Sequence, residues 1–247
     1  MGRFDGKRAL ITGGGSGLGF SLARLLVGEG ARVIITGRTR ERLDAARKEL
    51  GGDVTAVRSD SASLPDIDAL VARIAAEFGQ LDGLFVNAGV NGFAPFEATP
   101  EEMYDRLFTI NAKGPYFTVQ RFVPVLAAGS GVVFTTSVIN QLGYPMTSVY
   151  SATKAAVRSM TRSMARELLP RNVRVNAVSP GPIDSGILDR GMPAEAAAQT
   201  KAQMIAENPM LRFGRPEEFA RAAAFLAFDA TFTTGAELAV DGGGSQL

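Results

Sequence analysis

Short apolar runs rich in β-branched residues alternate along the chain with longer stretches in which apolar positions recur every three or four residues. The runs RALITG (8–13), ARVIITG (31–37), VTAVRSD (54–60), LDGLFVNAG (81–89), GVVFTTS (131–137), VRVNAVSPG (173–181) and ELAVDGG (237–243) predict seven strands. Helical periodicity predicts helices near Leu18–Val27, Thr39–Leu50, Leu64–Phe78, from about Pro100 to Leu126, near Val149–Leu169, and at 194–207 and 216–228. The strands do not alternate strictly, so both of their faces should be buried. Strand-helix alternation of this kind predicts an α/β fold: a single-domain, doubly wound, seven-stranded parallel sheet with helices on both faces. Ligands of such sheets bind beyond the carboxyl ends of the strands, which directs attention to the loops that follow them. The stretch 182–210 is long and weakly patterned after a strand, and is expected to form a substrate lid.

Composition narrows the picture. The 247 residues, 46% of them hydrophobic, suffice for one large core, and no repeat or linker divides the chain. Lys and Arg number 26 against 25 Asp and Glu, so no charge excess calls for nucleic acid or an anionic membrane. With no cysteine and no histidine, disulfides, thiolate or imidazole metal ligands, and Ser-His-Asp or Cys-His catalysis are excluded. A proton donor must be Tyr, Lys, Asp, Glu or a water they position, and no metal is expected. The N-terminus MGRFDGKR lacks the apolar stretch of a signal peptide and no run approaches 18 apolar residues, so a cytoplasmic location is expected.

The loop TGGGSGLG after the first strand is the first chemical signal. Gly14, Gly19 and Ser21 fit the register of a nucleoside-triphosphate loop, but Phe20 stands where its lysine must be, and without that ammonium the β- and γ-phosphates lose their charge partner. The strict G-x-G-x-x-G fingerprint fails as well, at Leu18 or Phe20. The pattern that fits is T-G-x-x-x-G-x-G, carried by Thr12, Gly13, Gly17 and Gly19. Glycines there permit positive φ and close backbone approach, and the following helix N-terminus favours a pyrophosphate. A second signal is Tyr150-x-x-x-Lys154 on a predicted helix, which places a phenol and an ammonium on one face about a turn apart. A free phenol titrates near 10, so a nearby positive charge would bring it toward neutral pH. Ser137 ends the fifth strand at the ligand-binding edge, where its hydroxyl could polarise a carbonyl that the phenol protonates. Beyond Asn111, Gly114 and Pro115 predict an irregular helix.

With NAG at 87–89, Asn111, Ser137, Tyr150-x-x-x-Lys154 and Pro180-Gly181, the loop gives the chain a nearly full-length resemblance to the short-chain dehydrogenase/reductase family. The resemblance implies a Rossmann fold and hydride transfer between a nicotinamide dinucleotide and a ketone or secondary alcohol. It implies a catalytic tetrad of Asn111, Ser137, Tyr150 and Lys154, in which Asn111 bends its helix and holds a water linking Lys154 to solvent. Cofactor contacts carried over by position are Thr12, Gly13, Gly15, Ser16, Gly17, Leu18 and Gly19 in the loop, and Gly37, Arg38 and Thr39 after the second strand. Asp60 and Ser61 would meet the adenine side, Asn87 the adenosine ribose with Ala88 and Gly89 beside it, and Tyr150 and Lys154 the nicotinamide half. Pro180, Gly181, Ile183 and Ser185 complete the set, with Ile183 and Ser185 at the carboxamide. Ser185 stands where the family commonly has Thr, and Val86 where a second Asn often precedes Asn87.

The second strand ends Gly37-Arg38 rather than in an acid that would hold ribose hydroxyls, and Arg38 can pair with a 2′-phosphate, so NADP(H) is the preferred cofactor with NAD(H) possible. The basic residue that the family adds inside the glycine loop is absent, Gly14, Gly15 and Ser16 standing there. Substrate contacts are expected from Ser137, Ile139, Tyr144, Tyr150 and Ile187, with Asn91, Phe93, Gln141 and Leu142 flanking a mixed pocket. Two other readings stay open: an NAD-dependent dehydrogenase of a sugar, polyol or hydroxy acid, and a dinucleotide-binding sensor or scaffold with an unused site. The helices at 100–126 and 149–169, the second with the small and apolar residues Ala152, Ala155, Ala156, Met160 and Met164, are ones that the family pairs between subunits, which implies a homotetramer with the C-terminal strand at a second contact.

Overall fold

The computed structural model describes residues 2–186, 188–189 and 193–247. Strands β1 (Arg8–Thr12), β2 (Arg32–Gly37), β3 (Val54–Arg58), β4 (Leu81–Val86), β5 (Leu126–Thr135), β6 (Arg174–Pro180) and β7 (Glu237–Val240) form one parallel sheet in the order β3-β2-β1-β4-β5-β6-β7. All seven carboxyl ends therefore lie along one edge. The order reverses between β1 and β4, which opens the crevice where doubly wound sheets bind ligands.

Helices are α1 (Gly17–Gly28), α2 (Arg40–Leu50), α3 (Leu64–Glu77), α4 (Glu101–Phe108), α5 (Gly114–Phe122), α6 (Ser148–Leu168), α7 (Ala194–Glu207) and α8 (Pro216–Ala224). Their two layers explain the unbroken apolar strands. In β1, Ala9 and Ile11 pack with Leu22, Leu26 and Phe219 of α1 and α8, whereas Leu10 turns to the other face with Ile67, Ile74 and Phe122 of α3 and α5. Successive strand residues face opposite layers, so a sheet covered twice needs apolar residues at nearly every position. Among the described residues no helix is long and apolar enough to cross a membrane.

Three elements differ from expectation. The helix predicted over about Pro100 to Leu126 divides into α4, a π turn at Thr109–Lys113, α5 and a 3-10 turn at Val123–Val125. Pro115 sits in the first turn of α5 and Pro124 in the 3-10 turn, where missing N–H groups disturb the helical ladder. Strand β5 consequently starts at Leu126, five residues before the apolar run GVVFTTS, and its pairing with β4 shifts register between Leu81 and Gly83. The last predicted helix ends at Ala224 and continues as a π turn at Phe225–Asp229.

Candidate active site

A cleft of about 920 Å³ runs along the carboxyl edge of the sheet, from the glycine loop and the β2 end to the β5 end and α7. Gly13 (φ 68°) and Gly17 (φ 56°) adopt the left-handed backbone that side chains disfavour, and this turns the loop from β1 into the N-terminus of α1. Ser16 caps that helix without a side-chain bond, so its first N–H groups remain available to an anion. Gly13, Gly15, Ser16, Gly17 and Leu18 line the cleft, whereas Thr12 and Gly19 lie behind it. The Thr12 hydroxyl accepts from Asn87 N and Ala88 N, each at 3.0 Å, and Gly19 packs so closely that an added Cβ would strike the Gly13 carbonyl oxygen. Thr12 and Gly19 thus shape the loop whose other residues line the cleft.

At the end of the cleft beyond β2 and β3, Gly37, Arg38, Thr39, Asp60 and Ser61 line it. Arg42 joins them from the first turn of α2, and its nearness to Arg38 in the sequence could have revealed it. Neither Arg38 nor Arg42 forms an ion pair among the described residues. Asp60 is held from two sides: its N–H donates to Asp66 Oδ2 at 2.9 Å, and its own Oδ1 accepts from Ala62 N at 3.0 Å. The bond from Asp60 N, then that from Ser63, holds the Asp66 carboxyl below its ordinary pKa.

Asn87 lines the cleft but uses its amide to join three strand ends. Nδ2 donates to Thr12 O at 3.2 Å, and Oδ1 accepts from Thr135 Oγ1 at 3.2 Å. Ala88 and Gly89 line the cleft beside it, and Pro180, Gly181, Ile183 and Ser185 complete the wall after β6.

Asn111, Ser137, Tyr150 and Lys154 converge from three elements. Asn111 lies in the π turn, buried behind the cleft wall, and grips Val90 in both directions: Oδ1 accepts from Val90 N at 2.8 Å and Nδ2 donates to Val90 O at 2.7 Å. Nδ2 also reaches Thr153 Oγ1 at 3.3 Å, which ties the turn to α6. Lys154 Nζ donates to Thr135 O at 3.0 Å and lies 5.8 Å from the centroid of the Tyr150 ring. Ser137 stands between β5 and the 3-10 turn Val138–Asn140, close enough to bond the Tyr150 phenol.

Burial sets the charge states here. It lowers the Lys154 pKa to about 8, because the buried ammonium has lost its water. It also raises Tyr150 above its ordinary value, and the Ser137 bond only partly opposes this. The sequence predicts that the Lys154 charge brings the phenol down; within the protein alone the lost hydration is the larger influence, and the Ser137 bond is what opposes it.

Around the tetrad Asn91, Phe93, Ile139, Leu142 and Tyr144 line the cleft. Gln141 does not, because its Nε2 donates to Glu237 Oε2 at 3.1 Å on the far side of its turn. Ile187 lies outside the described residues. From the 182–210 stretch, α7 contributes Thr200, Lys201 and Met204 to the cleft, and Lys201 ties this helix to Asp184 (3.3 Å) and Asp189 (2.7 Å). Met146, Leu188, Met204 and Phe213 were not legible as lining residues, since no local period marks which side of an irregular segment faces a cleft.

A family model described as enoyl-(acyl carrier protein) reductase matches residues 13–245. A doubly substituted variant of a short-chain dehydrogenase/reductase from Serratia marcescens superposes with a TM-score of 0.90 at 31% identity, over 98% of this chain and 99% of that one. The chain belongs to the short-chain dehydrogenase/reductase family. An oxidoreductase of Sarocladium schorii is 40% identical, covering 99% of this chain and 98% of its own. The cis-4-hydroxycyclohexanecarboxylate dehydrogenase of Sinomonas cyclohexanicum is 39% identical over 97% of each chain. This short-chain dehydrogenase/reductase is accordingly an oxidoreductase that acts on CH–OH groups with a nicotinamide dinucleotide.

Proposed function

We propose that the protein is an NADP(H)-dependent ketone reductase, or secondary-alcohol dehydrogenase in reverse, with Tyr150 as general acid and base. The supporting observation is the meeting of Ser137, Tyr150 and Lys154 in the cleft whose other end presents Arg38 and Arg42.

The glycine loop and the uncapped N-terminus of α1 suit the cofactor pyrophosphate, and Arg38 with Arg42 suits a 2′-phosphate. Bound there, the cofactor supplies the hydride that reduces the carbonyl carbon. The carbonyl oxygen accepts from Ser137 Oγ and Tyr150 Oη, two donors placed where negative charge develops. Tyr150 Oη gives its proton to that oxygen, and the neutral phenol favoured by burial is the form able to do so. Lys154 Nζ, held by Thr135 O and titrating near 8, stabilises the resulting phenolate and can pass a proton back to it. Asn111 keeps Val90 and α6 in register behind these groups. The same reading includes a homotetramer paired through α5 and α6, supported by the exposed Tyr116 and a groove holding Met160 and Met164 between those helices.

Ketones of several classes assayed with both cofactors test the reading. NADPH should exceed NADH in kcat/KM by at least about tenfold, the scale of one charge-assisted pair. Tyr150→Phe should lose on the order of 10³-fold in kcat and still bind NADPH. Preference for NADH would sink the cofactor assignment, and near-normal turnover by Tyr150→Phe the assignment of the acid. NADPH binding without turnover of any carbonyl would favour a sensor.

A further inference from the structure

Glu237 at the start of β7 is a buried carboxylate that this mechanism leaves unused, its side chain only 6% exposed. Its Oε1 accepts from Thr136 Oγ1 at 2.6 Å and Asn140 Nδ2 at 2.7 Å, while its Oε2 accepts from Gln141 Nε2 and forms an ion pair with Arg158 Nε, each at 3.1 Å. The amide nitrogens of Asn140 and Gln141 can only donate and Arg158 brings a positive charge, so the position suits a negative group that accepts, which a carboxylate is. Arg158 compensates the charge and is itself anchored by a bond from Nη1 to Gly235 O at 2.9 Å.

The partners surround the reacting groups. Thr136 immediately precedes Ser137. Asn140 and Gln141 close the 3-10 turn that Ser137 caps by accepting from Ile139 N at 3.4 Å. Arg158 lies four residues beyond Lys154 on α6, one turn along the same face. Glu237 thus grips the Ser137 turn on three sides and the Tyr150–Lys154 helix on the fourth.

We infer that Glu237 is a positioning residue: its carboxylate clamps the Ser137 turn against α6 and so fixes the Ser137 hydroxyl relative to the Tyr150 phenol. The inference rests on the roles proposed above for Ser137 and Tyr150. It places the determinant of that spacing on a strand about a hundred residues away, where it touches neither substrate nor cofactor.

Glu237→Gln is the sharp perturbation. The amide nearly matches the carboxylate in shape but turns one acceptor into a donor, which then faces either Arg158 or the Thr136–Asn140 pair. Expected are a kcat lower by roughly 10- to 100-fold, the scale of a small misplacement of a catalytic group, and an NADPH dissociation constant within about twofold of wild type. In a Ser137→Ala background, whose residual rate is read at high enzyme concentration, the same substitution should lower kcat less than about twofold, because the two changes then remove one shared effect. Asn140→Ala, which keeps the ion pair with Arg158, should reproduce the pattern more mildly and serves if Glu237→Gln does not fold. An undiminished kcat, or an equal fold loss with and without Ser137, would overturn the inference. Failure of the function reading itself looks different: Tyr150→Phe would remain active.

Discussion

Replacing Lys154 with methionine should make the protein more stable at neutral pH while it stops turnover. Methionine fills the same buried space without a charge. Lys154 falls from the ordinary 10.5 to about 8, a shift of about two and a half units, and at 1.36 kcal/mol per unit the protonated lysine costs folding about 3 kcal/mol at pH 7. Against this, losing the bond to Thr135 O forfeits roughly 1 kcal/mol. A net gain of about 2 kcal/mol remains, or roughly 4–8 °C in Tm for a domain of this size. The pH dependence identifies the cause. Between pH 8 and 10.5 the unfolded chain holds a proton that the folded one has released, so wild-type stability climbs with pH relative to the variant. The gap should be full below pH 8, close near pH 9.5, and reverse by about 1 kcal/mol, the worth of the lost Thr135 bond, at about 10.5. Thermal unfolding followed by circular dichroism, without nucleotide and at one protein concentration, measures it from pH 6.5 to 10.5. A variant less stable than wild type by the same margin at every pH would refute the reasoning.

Two further outcomes follow from the cleft. Arg38→Ala should lower kcat/KM for NADPH by about 10- to 100-fold and for NADH by less than about threefold, since only the former offers a 2′-phosphate to the guanidinium; steady-state kinetics with both cofactors would show equal losses if Arg38 merely faces solvent. Gly19→Ala should destabilise the protein by roughly 1–3 kcal/mol and weaken dinucleotide binding, because the new Cβ meets the Gly13 carbonyl and comes within 2.7 Å of Asn87 Nδ2; denaturant melts and a nucleotide titration check both, and unchanged affinity would refute the close-packing account.

By itself the chain of residues determined the seven strands, the double burial that makes them apolar, and the glycine loop and Tyr150-x-x-x-Lys154 pair as neighbours of a common edge. Each depends on interactions within a few residues, so each leaves a period or a spacing that can be read. The irregular helix at Asn111 was legible for the same reason, from Gly114 and Pro115 nearby. The tertiary structure alone decided that Thr12 and Gly19 shape the loop from behind, that Gln141 turns away from the cleft, and that burial raises Tyr150 despite the neighbouring lysine. It also brought Glu237 to Thr136, 101 residues earlier. These outcomes depend on which strands lie side by side and how much water their packing removes. Both are properties of contacts between segments distant in the chain, and such contacts leave no local period.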